Sequence, residues 1–289
     1  MKRPSLSPSL LPFDKITLSY ALFVALLLLL SHPGVKGWYL YLISHLLYCL
    51  LVIYLIRCST NRDILDPLRY LYPLLSVPLF YQELRILSYI IFAKPFDKEI
   101  ISLEIKLLGL QPNLFLQDIA RPWLTDFFNL FYFSYYFMVF LPPLFLYIEG
   151  RKEELSYLLT NIMLAYSLSF ALSIFLPVES PRFALQGKLH PLHGILFTPF
   201  HEGFMAMGSF RGNGMPSSHV AVTLVAVACM RRINKKVFWI MLPSFSAMSS
   251  GAIYGSYHYL SDVIGGLLTG AFVLLLSPAL LRRRPLFSR

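Results

Sequence analysis

Apolar runs recur along this chain, and each is long enough to approach the roughly 20 residues that cross a bilayer as a helix. They predict helices at 14–31, 37–56, 67–92, 127–148, 155–177, 217–233, 237–254 and 260–281. Only 14% of the 289 residues are charged and 56% are apolar, whereas a soluble domain carries about 25% charged residues. The sequence therefore predicts an all-α, polytopic membrane bundle of about eight transmembrane helices.

Two of these runs allow other interpretations. The third contains Pro73, Pro78 and the polar cluster Gln82, Glu83 and Arg85, so it could be kinked, broken or partly interfacial. The first could be a secretory signal peptide, but no small-residue cleavage site follows Leu30 and another run begins at once. We expect the first run to be retained as a helix.

Basic residues indicate the orientation of the helices. The net charge of +10 could suggest a nucleic-acid partner, but the basic residues cluster at the ends of apolar runs, so no nucleic acid is expected. They occupy alternate connections: Arg57, Arg62 and Arg69; Arg151 and Lys152; Arg231, Arg232, Lys235 and Lys236; and Arg282, Arg283 and Arg284. With Lys2 and Arg3, they predict that both termini are cytoplasmic. The opposite connections, 93–126, 178–216 and 255–259, then face periplasm, lumen or cell exterior.

The first chemical motif lies on that opposite side, in the segment Gly212 to His219. Pro216 and Ser217 favour a helix start, where unpaired first-turn N–H groups and the helix dipole suit a phosphate. Ser217 and Ser218 are therefore candidate phosphate-binding residues, and His219 lies within reach of a bound anion. The alternative is a capped helix with one interfacial histidine.

The second motif is His258 with Asp262, at the start of the last predicted helix. Residues four apart on a helix share a face, so the carboxylate can accept one imidazole proton and leave the other nitrogen free as a nucleophile or base. The alternative is a solvent-facing pair at the membrane surface.

The third motif is Arg182, which stands between prolines after the fifth predicted helix. Its planar guanidinium suits phosphate, although a lone arginine there could equally anchor lipid headgroups. By the orientation above, all three motifs lie on one side of the membrane.

These residues together resemble the type 2 phosphatidic acid phosphatase superfamily, which includes the vanadium haloperoxidases. That family reads Lys-x6-Arg-Pro, Pro-Ser-Gly-His and Ser-Arg-x5-His-x3-Asp in order. Pro216-Ser217-Ser218-His219 is similar to the second motif, and His258 with Asp262 to the end of the third. The first survives only as Arg182. The resemblance covers roughly 127–281, and it implies the six-helix core of that family if the third predicted helix is included.

The chain also departs from that pattern. Phe175 stands where the family has lysine, and Gly251 and Ala252 stand where it has Ser-Arg. The chain resembles more closely a branch that includes inositol phosphorylceramide synthase, through Tyr254-x3-His258-Tyr259-x2-Asp262, the segment 107–112, and the tyrosines Tyr132, Tyr135 and Tyr136.

The resemblance implies a metal-independent membrane enzyme without a cofactor, acting on a lipid substrate that enters from the bilayer. His258 would attack phosphorus, Asp262 would orient it, and His219 would protonate the leaving oxygen. Residues 1–66 would form N-terminal transmembrane helices and 67–289 the catalytic core, with an interfacial segment at 93–126. We expect a lipid-phosphate phosphatase. The alternatives are a headgroup phosphotransferase using the same histidines and a non-enzymatic scaffold or transporter.

Two further cations could replace those missing from the family motifs. Arg211 is joined to Pro216 through the flexible residues 212–214, and Lys188 shares the loop of Arg182. We expect Arg211 above all to contact the substrate phosphate, because a transferring phosphoryl group needs preorganised donors. Contact with lipid phosphates at the surface is the alternative for both.

The predicted orientation can be tested by thiol labelling. Single cysteines at Asn234 and Gly187, in a cysteine-free background, should label from opposite sides with an impermeant reagent. Gly187→Cys should react from the outside, because its connection is poor in basic residues. Labelling of Asn234→Cys alone from the outside would reverse the orientation.

Overall fold

A computed structural model describes residues 10–31, 34–58, 65–208 and 210–281. Part of the orientation argument rests on Lys2, Arg3, Arg62 and 282–284, which lie outside the described residues. Within the described residues the chain is helical and has no strands. The predicted all-α class is confirmed.

The helices are taken in chain order. They are α1 (Pro12–Leu30), α2 (Trp38–Cys58), α3 (Asp66–Leu87), α4 (Asp97–Leu108), α5 (Pro112–Asp118), α6 (Pro122–Ile148), α7 (Lys152–Phe175), α8 (Pro181–Ala184), α9 (Thr198–Gly208), α10 (Ser218–Ile233), α11 (Lys235–Tyr254) and α12 (Leu260–Leu281).

All eight long helices expected from the apolar runs are present, and six of them are long and apolar enough to cross a membrane: α1, α2, α6, α7, α11 and α12. This agrees with a multi-pass membrane protein. Of the other two, α10 has only 16 residues, and α3 carries charged residues near both ends, including Asp66 and Arg85.

Two predicted boundaries are wrong. The third helix ends at Leu87 instead of residue 92, although it continues through Pro73 and Pro78 without a break. The fourth begins at Pro122 instead of 127, because a proline at the first helical position costs no hydrogen bond and starts the helix earlier. The segment 93–126 contains the short helices α4 and α5.

The short helix α10 lies inside the bundle, packed by α6, α7, α11 and α12. Glycines allow the closest of these contacts. A Cβ added at Gly266 of α12 would lie 2.5 Å from the Ser217 carbonyl oxygen, so only glycine permits this approach. Small residues of this kind are how membrane helices pack closely. The contact fixes α12 against the start of α10.

The N-terminal helices are tied to the rest of the bundle by a buried ion pair. α1 packs against α2 and α7. Asp14 of α1 is fully buried and accepts hydrogen bonds from both terminal nitrogens of Arg69 and, at 2.5 Å, from the Tyr72 hydroxyl. Arg69 is itself only 4% exposed. A charge pair this deep is tolerated because both carboxylate oxygens of Asp14 are paired with both terminal nitrogens of Arg69.

Removing one partner of that pair should destabilise the fold. Asp14→Ala leaves the Arg69 guanidinium buried without its carboxylate, which costs about 3–5 kcal/mol. Thermal unfolding in detergent should show a clear drop in midpoint for Asp14→Ala, while Lys15→Ala at the neighbouring exposed position should change it little. A double variant, Asp14→Leu with Arg69→Met, should recover most of the loss, and an unchanged midpoint in Asp14→Ala would contradict this account.

Candidate active site

The start of α10 forms one side of the candidate site. Ser217 is the N-cap, and its hydroxyl accepts a hydrogen bond from the Val220 N–H at 3.4 Å. Ser218 and His219 occupy the first turn. The predicted helix start is confirmed. The Ser217 N–H donates to the Asp262 carbonyl oxygen at 3.0 Å, which links this end of α10 to α12.

The other side is the connection between α11 and α12. Here the sequence interpretation was wrong in one respect: His258 does not lie on a helix with Asp262, because α12 begins only at Leu260. Instead the Asp262 carboxylate caps the helix start, accepting from the Tyr259 N–H at 2.8 Å. That cap places the carboxylate beside the preceding histidine, so the expected pair still forms.

The two histidines face one another across a short space. Asp262 Oδ2 lies 3.4 Å from His258 Nδ1, and the Asp262 side chain is fully buried. The rings of His219 and His258 have centroids 5.9 Å apart, and the His219 ring lies against Tyr135 at 4.4 Å. His219 Nδ1 is buried and has no hydrogen-bond partner in the described part of the chain. Two imidazoles of this kind, one of them beside a carboxylate, can act on one bound group from two directions.

Arg182 reaches the same space with a partner that the sequence analysis missed. Its two terminal nitrogens donate to the two oxygens of Glu202, each at 2.8 Å, and its Nε donates to the Gly255 carbonyl at 2.9 Å. Its guanidinium also lies over the Tyr257 ring, 3.9 Å from the centroid. Arg182 is thus held rigidly at the edge of the His258 loop.

Glu202 is held in its charged form by the same contacts. Burial alone would raise its pKa, but the nearby His201 ring, hydrogen bonds from Arg182 and Tyr257, and the Arg182 charge lower the pKa of Glu202 overall. The carboxylate and the guanidinium therefore form a neutralised pair in the wall of the site. Nothing in the order of residues indicated this pair, because Glu202 stands 20 positions after Arg182 on a separate helix, α9.

A cavity of about 250 Å³ collects the predicted residues. Its lining includes Arg182, Ser218, His219 and His258 together with Tyr257. Ser217 is fully buried behind it as the cap. We call this space the histidine cavity.

Arg211 and Lys188 lie outside the lining of the histidine cavity. Arg211 is exposed, with its Nη1 3.7 Å from Glu179 Oε1 and its guanidinium over the Phe183 ring. Lys188 is exposed on the loop after α8. Their contact with substrate stays a prediction, and for Arg211 it requires the side chain to turn away from Glu179.

An apolar groove of about 340 Å³ adjoins the histidine cavity. The two spaces share Tyr81, Met205, Ser218 and His219. The rest of the groove is formed mainly by aromatic and aliphatic side chains of α3, α6, α7 and α9: Val77, Pro78, Tyr135, Tyr136, Phe140, Tyr166, Phe170, Phe204 and Met207. An apolar chain can therefore lie beside His219 while a polar group occupies the histidine cavity.

Side chains of α4 and α5 hydrogen-bond to the His258 loop and to the first turn of α12. The sequence analysis did not predict these contacts. Asn113, fully buried, donates from its amide to the carbonyl oxygens of Ile253 (2.8 Å) and His258 (3.0 Å). Gln111 caps α5 and donates to Glu104 Oε2 at 2.9 Å. Glu104 Oε1 accepts from both the N–H and the hydroxyl of Ser261. The loop and the first turn of α12 are thus bound to α4 and α5.

Asp97 supports the same turn. Its Oδ1 accepts from the Tyr259 hydroxyl at 2.9 Å and its Oδ2 from the Glu179 N–H at 2.8 Å. Burial raises the pKa of Asp97 to about 6, with these two hydrogen bonds opposing the shift and the nearby charges of Glu179 and Asp262 adding to it. Asp97 and Glu104 are seven residues apart, two turns on one helix face. This spacing of Asp97 and Glu104 is the feature of the sequence from which a buried polar face of α4 could have been predicted.

Close backbone packing explains one departure from the family motif. A Cβ added at Gly251 would lie 2.9 Å from the Phe128 carbonyl oxygen of α6, so a serine does not fit there without a shift. The carbonyl oxygen of the next residue, Ala252, accepts from the N–H groups of Tyr257 and His258, each at 3.0 Å. These two positions shape the turn that carries His258.

Asn113 should act as a positioning residue. Asn113→Ala removes the side-chain donor of the His258 carbonyl in the loop and one donor of the Ile253 carbonyl at the end of α11, so we expect kcat to fall by at least tenfold with KM changed less than threefold, on a lipid phosphate in detergent. The matched control is Asn234→Ala, which removes the N-cap of α11 at the far end of α10, about 24 Å away at 1.5 Å per residue. Asn234→Ala should lower thermal stability and leave kcat unchanged. Equal kcat losses in both variants would show that stability alone is responsible.

A comparison with protein-family models matches residues 98–276 to the PAP2 superfamily. The match spans α4 to α12 and includes every residue that lines the histidine cavity except Tyr81. Neither the comparison with curated proteins nor that with solved structures gave a match. Since the family model covers more than half of the chain, the chain is a member of the PAP2 superfamily, whose enzymes carry out phosphatase-type chemistry on lipid phosphates.

Proposed function

We propose that this protein is an integral membrane lipid-phosphate phosphatase that works through a phosphohistidine on His258. The observation that carries the proposal is the histidine cavity itself. It brings His258, paired with Asp262, within 5.9 Å ring to ring of His219, beside an apolar groove that can hold a lipid chain.

The first step is attack of His258 on phosphorus. Asp262 lies at Nδ1, so the carboxylate holds that proton and leaves Nε2 as the nucleophile. The carboxylate also stabilises the positive charge that develops on the imidazole. The phosphorus–oxygen bond to the lipid alcohol breaks as the phosphorus–nitrogen bond forms.

His219 supplies the proton to the leaving oxygen. Its ring lines both the histidine cavity and the apolar groove, so it stands where the lipid alcohol departs. Water then attacks the phosphohistidine, gives its proton to His219 and releases phosphate. Arg182 and the first-turn N–H groups near Ser218 are positioned to meet the charge on the non-bridging oxygens.

A headgroup phosphotransferase is the second candidate. It uses the same residues, with an alcohol in place of water in the second step. The apolar groove is compatible with either reaction, because both begin with a lipid phosphate.

We further propose that no metal takes part, that the site faces periplasm, lumen or exterior, and that both termini are cytoplasmic.

Variants of the two histidines separate their roles. His258→Ala should abolish turnover of every substrate, because a nucleophile is needed whatever departs. His219→Ala should lose about 10²- to 10⁴-fold on a natural lipid phosphate such as phosphatidic acid, and far less on an activated aryl phosphate, whose leaving group needs no proton.

Asp262→Asn should also be severely impaired, and the matched control is Asp118→Asn, an exposed aspartate at the end of α5, which should behave like the wild type. Equal losses for His258→Ala and His219→Ala on the aryl phosphate would contradict the assignment of roles. Full activity of His258→Ala would contradict the proposed function.

A further inference from the structure

Tyr257 immediately precedes His258, and none of the sequence motifs gives it a role. It is 5% exposed and lines the histidine cavity. Its N–H and that of His258 both donate to the Ala252 carbonyl oxygen, each at 3.0 Å. The hydrogen bonds that place the backbone of the proposed nucleophile therefore also place the backbone from which the Tyr257 side chain projects.

The two faces of the Tyr257 ring contact different residues of the site. The guanidinium carbon of Arg182 lies over the ring, 3.9 Å from its centroid, which is close enough for a cation–π interaction. The Tyr132 ring of α6 stacks on it with centroids 4.4 Å apart and planes 13° from parallel. The Tyr132 and His219 rings have centroids 5.5 Å apart. One series of ring contacts therefore runs from Arg182 to His219.

The Tyr257 hydroxyl contacts the carboxylate that pairs with Arg182. It lies 3.0 Å from Glu202 Oε1, 3.0 Å from His201 Nδ1 and 3.1 Å from Asn129 Oδ1. Burial raises the pKa of the Tyr257 phenol, so the hydroxyl keeps its proton and can donate. The hydroxyl thus joins α6, α9 and the loop after α11 at one point.

Arg182 keeps donors for a ligand after these contacts are made. Glu202 and Gly255 accept from three of the five N–H groups of its guanidinium, which leaves two for a phosphate. The N–H groups of a guanidinium lie in its plane, so the direction in which the remaining two point depends on the orientation of that plane. The Tyr257 ring, against which the guanidinium lies, helps to set this orientation.

We propose that Tyr257 is a positioning residue that aims the two remaining N–H groups of Arg182 at the phosphate between His258 and His219. This inference rests on the proposed function, in which Arg182 meets the charge on the non-bridging oxygens. The Tyr257 ring orients the guanidinium, and Tyr132 supports that ring from its other face. The Tyr257 hydroxyl keeps the carboxylate partner of Arg182 in place. Donors that are oriented before the substrate binds stabilise the transition state most effectively.

Two variants of the full-length protein separate the ring from the hydroxyl. Tyr257→Phe keeps the ring and loses the hydroxyl contacts, so kcat/KM for phosphatidic acid should fall about three- to tenfold, as for one lost hydrogen bond. Tyr257→Leu also removes the ring and should lose about a hundredfold or more, as for one lost donor to the transition state. The matched control is Tyr48→Phe, which removes a hydroxyl 2.6 Å from Ser76 Oγ between α2 and α3 and should leave kcat/KM unchanged.

A double-mutant cycle tests whether Tyr257 acts through Arg182. An activated aryl phosphate serves as the substrate, because its faster reaction keeps the impaired variants measurable. In the Arg182→Ala background, Tyr257→Leu should lower kcat/KM by less than about threefold further, since no guanidinium is left to orient. A loss caused only by poorer folding would be the same in both backgrounds.

Equal losses from Tyr257→Leu with and without Arg182 would overturn the inference, and so would full activity of Tyr257→Leu or of Arg182→Ala. In each of these cases the proposed function stands as long as His258→Ala is inactive. Full activity of His258→Ala would reject the proposed function and this inference together.

Discussion

The geometry of the candidate site depends on how the turn between α11 and α12 is held. Five residues, 255–259, reverse the chain and must present His258 in a fixed direction. The carbonyl oxygen of Ala252 accepts from two N–H groups of the turn, and Asn113 donates to the carbonyl oxygens of His258 in the turn and of Ile253 at the end of α11. Because a buried backbone group without a partner costs about 1–3 kcal/mol, these bonds select one conformation of the turn. Asp262 Oδ2 lies 3.4 Å from Nδ1 of the imidazole that the turn presents.

This turn is also where the parts of the molecule meet. The Asp262 carbonyl oxygen accepts from the Ser217 N–H, so the two histidine-bearing segments are hydrogen-bonded to each other. Glycine packing between α10 and α12 maintains their distance. Arg182 of α8 donates to the Gly255 carbonyl oxygen of the turn, and it also donates to Glu202 of α9. The Arg182 guanidinium is therefore already oriented in the wall of the histidine cavity, and its pairing with Glu202 reduces the cost of removing its charge from water.

The sequence alone predicted the all-α class, the positions of the long helices and the residues His219, His258 and Asp262, because each depends on local pattern: apolar length, cap residues and short spacing. It did not predict Asn113, Glu104 or Glu202, whose roles arise from contacts between helices far apart in the chain. It also placed His258 on a helix, since residue spacing does not distinguish a helical pair from a capped turn. The roles expected for the predicted site residues, Arg211 and Lys188 among them, stay predictions.

The most direct test of the account is to locate the phosphoryl group during turnover. Purified protein would be mixed with phosphatidic acid labelled in its phosphate, denatured within milliseconds in alkali, which preserves phosphohistidine, and analysed by peptide mass spectrometry. The account predicts one labelled site, His258, and no label in His258→Ala. The label should accumulate when transfer of the phosphoryl group to His258 is faster than hydrolysis of the phosphohistidine. Label on His219, or turnover with no labelled histidine in the wild type, would contradict it.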